Sequence, residues 1–121
     1  MRSRPEAALQ RAVVAYLAMA LPDDAWFTAI NPNPTKGVVA GAIAKSLGAK
    51  AGVPDILIIH KGRARWVELK APKGRISEAQ RDTIAELNIA GCPSPAICQS
   101  IGEVAMALAE WGIPCRARVA A

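Results

Sequence analysis

Apolar side chains recur at helical spacing near the start of the chain. Leu9, Val13, Tyr16, Leu17 and Ala20 fall on one face, which predicts a helix that Pro22 and Asp23-Asp24 end. Ser3-Arg4-Pro5-Glu6 in front of it reads as a capping box with Pro in the first turn. The period then changes. Ala25 to Ile30 reads as a short strand, and the Pro- and Gly-rich stretch from Asn31 to Gly37 as a loop. Val38 to Leu47 is Ala-rich and predicts a short helix, followed by a flexible basic lead-in, Gly48-Ala49-Lys50-Ala51-Gly52. Ile56-Leu57-Ile58-Ile59 is continuously apolar and too short for a helix, so it predicts a buried strand. Ala64 to Leu69 is a second strand, with Lys61-Gly62 as a two-residue hairpin loop.

Beyond a basic turn, Ala71 to Arg75, Ser77 and Gln80 form a second capping box. Gln80, Ile84 and Leu87 are spaced to share a face, and Gly91 stops that helix. Ser94 to Gln99 reads as a strand. Ser100 and Glu103 make a third capping box, opening a helix to about Glu110 with Val104, Met106, Ala107, Leu108 and Trp111 as its apolar surface. The tail from Ile113 to Ala121 fits a last strand, a dimer contact or a loose end. The order is α-β-α-β-β-α-β-α: a meander, then a strand reached through a helical crossover. The pattern shows neither repeats nor an internal boundary, so residues 1–121 read as one domain.

The hairpin has a chemical consequence. If its loop is Lys61-Gly62, His60 faces Arg63, and counting outward puts Asp55 opposite Glu68. Directly opposed Cβ atoms lie about 4.5–5.5 Å apart, near enough for two carboxylates to share one cation. A longer loop would make the pair diagonal. Glu68 and Lys70 share a face and Leu69 points away. Two carboxylates and an amine are what a divalent metal and an attacking water need to cut a phosphodiester. Charged strand ends are also ordinary solvated groups, so the flanking residues matter. A Gln on a buried stripe needs a partner. Gln80 is therefore either a neighbour of this site or only a cap, and Glu6 is open to the same two readings.

The net charge of +5 suits a phosphate-rich partner. Lys36, Lys45 and Lys50, with Lys61, Arg63, Arg65, Lys73, Arg75 and Arg81, are the basic residues available to hold a backbone. Cys92, Cys98 and Cys115 form no metal or disulfide pattern and suit a reducing cytosol. His60 is the only histidine and reads as solvent-facing. No run is long enough to span a membrane. Ala12 to Leu21 has the length of a signal-peptide core, but Glu6, Gln10 and Arg11 break that pattern.

Gly52-Val53-Pro54-Asp55, Glu68-Leu69-Lys70, Gly74-Arg75-Ile76-Ser77 and Gln80, with Glu6 and Gln10 ahead of them, resemble the VRR-NUC family, the virus-type replication-repair branch of the PD-(D/E)XK nucleases. The resemblance implies a restriction-endonuclease-like α/β core, a central mixed sheet flanked by helices. It implies Asp55 and Glu68 as Mg²⁺ or Mn²⁺ ligands, helped by the Leu69 carbonyl. Lys70 would orient or activate water, Gln80 would stand beside the site, and Glu6 would complete a second metal position. It further implies a stand-alone phage or bacterial form, cytoplasmic, acting as a homodimer on branched, Holliday-junction-like DNA. The apolar faces of Val38–Leu47 and Val104–Trp111 serve either as that interface or as core. Two other functions compete: a non-catalytic basic DNA-binding module on the same fold, and a sequence-specific restriction-type endonuclease, for which there is little room.

Overall fold

A computed structural model describes residues 4–30 and 37–116. Helix α1 spans Arg4–Ala20, strand β1 Ala25–Ala29, helix α2 Val38–Ser46, and strands β2 and β3 Ile56–His60 and Arg63–Leu69. Helix α3 spans Glu78–Ile89, strand β4 Ala96–Cys98 and helix α4 Ile101–Glu110. This is the expected order of elements. The four strands form one mixed sheet in the order β1-β2-β3-β4. The first three are antiparallel neighbours, and β4 joins β3 in parallel. A parallel pair needs a long crossover, and α3 provides it.

The hairpin has the expected register. His60 pairs with Arg63 and Ile56 with Val67. Lys61 and Gly62 both take positive φ, 51° and 76°, the signature of a type I′ turn whose twist matches its strands. Strand β4 is shorter than the expected Ser94–Gln99 and starts at Ala96, because Pro95 has no N–H to give the ladder.

Alternation sorts the sheet into two faces. Ile56, Ile58, Val67 and Leu69 point one way and are fully buried. They pack with Val13 and Leu17 of α1 and Val104 and Leu108 of α4. Burying each such side chain stabilises the fold by about 1.5–3 kcal/mol. The face of α4 raised as a possible interface is therefore core. The apolar residues of α2 are not: Val38, Val39, Ile43 and Leu47 are all exposed.

His60 departs from the sequence reading. It is 8% exposed, and its Nε2 lies 3.1 Å from Asp24 Oδ1. Alternation puts it on the same face as Ile56 and Ile58, and Ala25 pairs beside it, bringing the preceding Asp24 within reach. After α4, Ile113 is buried, the Arg116 amide donates to Ala20 O at 2.7 Å and its guanidinium to Asp23 at 3.0 Å. Up to residue 116 the tail thus docks on the end of α1 without forming a strand. Ser3, Lys36 and residues 117–121 lie outside the described residues.

Candidate active site

Pro54 explains why β2 starts where it does. It has no N–H and cannot extend the ladder toward Leu69. The Leu69 N–H goes to the Asp55 side chain, whose Oδ2 accepts it at 2.7 Å, while the Asp55 backbone carbonyl accepts from Ile30 N–H at 2.8 Å. By the same register Asp55 stands opposite Glu68. Both are buried, at 8% and 2% exposure. Glu68 and Lys70 turn away from the core face that holds Leu69, and Lys70 is itself 9% exposed. Its backbone N–H donates to Cys98 O at 2.9 Å, so β4 fixes the strand end that carries it.

Three buried charges need compensation. Gln80 supplies much of it. Its Oε1 accepts from Lys70 Nζ at 2.9 Å, and its Nε2 donates to Glu68 Oε2. Lys70 Nζ also lies 3.7 Å from that carboxylate oxygen. The same Gln80 closes the capping box: Ser77 Oγ accepts from Gln80 N–H at 3.1 Å, and Gln80 Oε1 accepts from Ser77 N–H at 2.8 Å. The two readings of Gln80 are thus both realised in one side chain. The Ser100 box differs: Ser100 Oγ caps Glu103 N–H, but Glu103 reaches Gln99 N–H at 3.0 Å.

Glu6 leaves the first turn of α1 toward the same corner. Its Oε1 is 3.5 Å from the Ala71 amide. Gly74 closes the turn beside it: a Cβ there would come within 3.3 Å of both Glu6 Oε1 and Lys70 Cδ. Gln10 is half-buried one turn further along α1.

Two contacts support the site: Thr83 was not among the sequence candidates, and Gly52 stood there only as the first residue of the Gly-Val-Pro-Asp motif. Gly52 has φ of 74°, and a Cβ on it would meet the Ala79 carbonyl oxygen at 2.2 Å. Its backbone lies directly against the first turn of α3. Thr83, one turn beyond Gln80, is 8% exposed, and its hydroxyl donates to Ala51 O at 2.7 Å. Together they fasten the segment leading to Asp55 to the helix that carries Gln80. The only sequence signal for Thr83 was its place on the inward stripe of α3.

The basic residues separate. Lys73 and Arg75 are exposed on the turn after Lys70, and Arg81 is exposed beside Gln80. Lys45 and Lys50 line a groove between α2 and α3 that also holds Asp82 and Glu86, and Lys50 lies 3.9 Å from Glu86. That partner weakens the claim of Lys50 as a phosphate contact.

The donor chemistry fits a hard divalent cation. Asp55 and Glu68 offer carboxylate oxygen, while the one imidazole is spent on Asp24 at the other end of β2. Among the described residues, no three His, Cys, Asp or Glu side chains are gathered as a metal-binding group. The structure therefore brings Glu6 to the site's margin without making it part of a three-carboxylate cluster.

The profile of the VRR-NUC domain matches residues 17–100, more than half of the chain. The chain belongs to the VRR-NUC family. The match spans β1 to β4 and contains Asp55, Glu68, Lys70 and Gln80, but starts after Glu6. Among solved structures, the chain is similar to a VRR_NUC domain protein at 18% identity and a TM-score of 0.63, over 92% of this chain and 90% of that one. That likeness concerns the fold. No curated protein matched. VRR-NUC domains are nuclease domains, so nuclease-type action on nucleic acid follows from membership.

Proposed function

We propose that this VRR-NUC domain is a Mg²⁺- or Mn²⁺-dependent endonuclease that hydrolyses DNA phosphodiesters and selects its substrate by structure, with branched, four-way DNA as the preferred class. The observation that carries the reading is the buried network of Glu68, Lys70 and Gln80 beside Asp55, all placed by one hairpin and one helix cap. A structural role alone gives little reason to bury two carboxylates and an amine at a strand end, since apolar residues would be at least as stable there.

Asp55 and Glu68, with the Leu69 carbonyl, would hold the cation, and Glu6 is the residue nearest to hand for a second. When bound, the ion supplies charge neutralisation at the phosphate and a more acidic water. Lys70 provides a compact positive charge at the attacked phosphate and a group able to exchange a proton. Gln80 positions Lys70 and Glu68 relative to each other. Lys73 and Arg75, exposed on the turn after Lys70, and Arg81, exposed next to Gln80 in the chain, would grip the backbone, with salt-sensitive affinity.

The exposed apolar face of α2 supports a homodimer, in which a two-fold contact would present two sites to paired strands. Three free cysteines are consistent with a reducing cytoplasm. The test is cleavage of four-way, flap, nicked and linear duplex DNA with each metal. Cutting concentrated on branched substrates supports the proposal. An inert protein across all of them leaves a non-catalytic binding module, and cutting at one short sequence in linear duplex favours the restriction-type reading.

A further inference from the structure

The far end of the hairpin carries a second built feature. A cavity of about 310 Å³ is lined by His60, Lys61, Arg63, Arg65, Trp111 and the Gly112-Ile113 backbone region. Arg63 and Arg65 alternate along β3 and so share the face of Val67 and Leu69, opposite to that of Glu68 and Lys70. Between Asp55 and His60 the strand advances five residues, about 17 Å at 3.3 Å each. The cavity is thus at the other end, and on the other face, of the same hairpin.

The cations there have no internal use. Among the described residues, Lys61, Arg63 and Arg65 form no ion pair and no side-chain hydrogen bond. The nearby carboxylate of Asp24 is held by buried His60. The end of α4 does not need them either. Three carbonyls of its last turn are taken by backbone N–H groups: Trp111 to Ala107 O at 3.0 Å, Gly112 to Ala109 O at 3.0 Å and Ile113 to Leu108 O at 2.9 Å. Arg63 and Arg65 line this concave site together with Trp111, and guanidinium groups supply the forked donors that recognise phosphate oxygens.

We infer that this cavity is a second phosphate-binding site, separate from the catalytic end, with Arg63 and Arg65 as its anion ligands. It rests on the nuclease reading only for the source of the phosphate, which is a nucleic-acid strand. A ligand that reaches both sites must turn around the end of the sheet. A straight duplex lying over Glu68 does not do that, whereas a second arm of branched DNA can.

The experiment measures affinity of the full chain for a four-way DNA in EDTA, which removes cleavage from the readout. Each lost phosphate contact lowers the salt slope by roughly 0.9, so Arg63→Gln/Arg65→Gln should lower it by about 2. Between 50 and 200 mM salt the wild type then loses about tenfold more affinity than the variant. Arg63→Lys/Arg65→Lys should recover most of the slope, and the melting temperature checks that both variants fold. A second arm titrates inorganic phosphate and a nucleoside monophosphate while following the His60 ring and Trp111 indole NMR signals. Shifts there in wild type only, with an unchanged DNA slope, assign the site to a free phosphate ligand instead of a strand. An unchanged slope together with silent NMR signals overturns the inference. A catalytically inert protein that still shows the slope difference removes the endonuclease proposal and leaves this one standing.

Discussion

Gly52→Ala tests how the corner that holds Asp55, Glu68, Lys70 and Gln80 is kept in place. Two costs add at this position. The backbone at φ of 74° is left-handed, which a Cβ disfavours by about 1 kcal/mol. The new methyl would also sit 2.2 Å from Ala79 O and 2.7 Å from Gln80 N. Relief requires the first turn of α3 to retreat by about 1 Å, an overpacking cost of roughly 1–3 kcal/mol. Together the change should destabilise by about 2–4 kcal/mol, or roughly 8–16 °C in melting temperature for a chain of this length. Gly62→Ala is the control: its φ of 76° is nearly the same, but nothing lies within 4 Å of the added Cβ. It should show the left-handed cost alone, roughly 4 °C. Because the displaced turn carries Gln80, Gly52→Ala should also lose nuclease activity at temperatures where it remains folded. Equal melting temperatures for the two variants, measured by circular dichroism, would refute the claim that α3 is seated on Gly52.

Asp55→Asn, Glu68→Gln and Lys70→Ala should each reduce cleavage by roughly two orders of magnitude or more while DNA affinity in EDTA stays near wild type. Loss of binding in all three would mark the cluster as structural. Gln80→Ala removes a cap arm worth about 1 kcal/mol and should slow cleavage further than that loss implies. Gln80→Glu keeps an acceptor for the Ser77 amide but sets a second carboxylate against buried Glu68, so it should cut the rate although the Ser77 cap is retained. A rate that tracks stability through both variants would reduce Gln80 to a cap. Burial, and secondarily the charge of Glu103, raise the Cys98 thiol to about 11 from an ordinary value of 9.0. It should therefore resist alkylation at pH 8 while exposed Cys115 reacts, and native stability should decline between pH 9 and 11 as unfolding releases the thiol to ionise. Mass spectrometry of labelled peptides at pH 8 reads the first effect, and Cys98 labelling as fast as Cys115 would contradict it.

The parts of this site that were legible in the sequence are those set by local rules. A two-residue type I′ loop and a side-chain period of two carry the register from His60–Arg63 to Asp55–Glu68 without further information. The capping box at Ser77 was equally local. What escaped is what the tertiary fold brings together. A polar residue beside a turn reads as solvent-facing, yet alternation places His60 with Ile56 and Ile58, and its partner Asp24 lies 36 residues away in the chain. Ala-rich composition predicts α2 but not whether anything covers it, and its apolar side chains stand exposed. The separation of Gly52 from Ala79 in sequence hides their contact, and the charge of Lys50 gave no hint of Glu86. Gln80 is the instructive case. Local and long-range readings looked like alternatives, yet an amide side chain with a donor and an acceptor can satisfy both.

The shared oxygen of Gln80 makes a backbone amide into a reporter. Ser77 N–H and Lys70 Nζ are held by the same Oε1. Fraying of the first turn of α3 therefore loosens Lys70 and Glu68 together, and any event that draws Glu68 away from Gln80 is felt at Ser77. Protection of that one amide against hydrogen exchange tracks the fraction of molecules in which Glu68, Lys70 and Gln80 are assembled, with no substrate present.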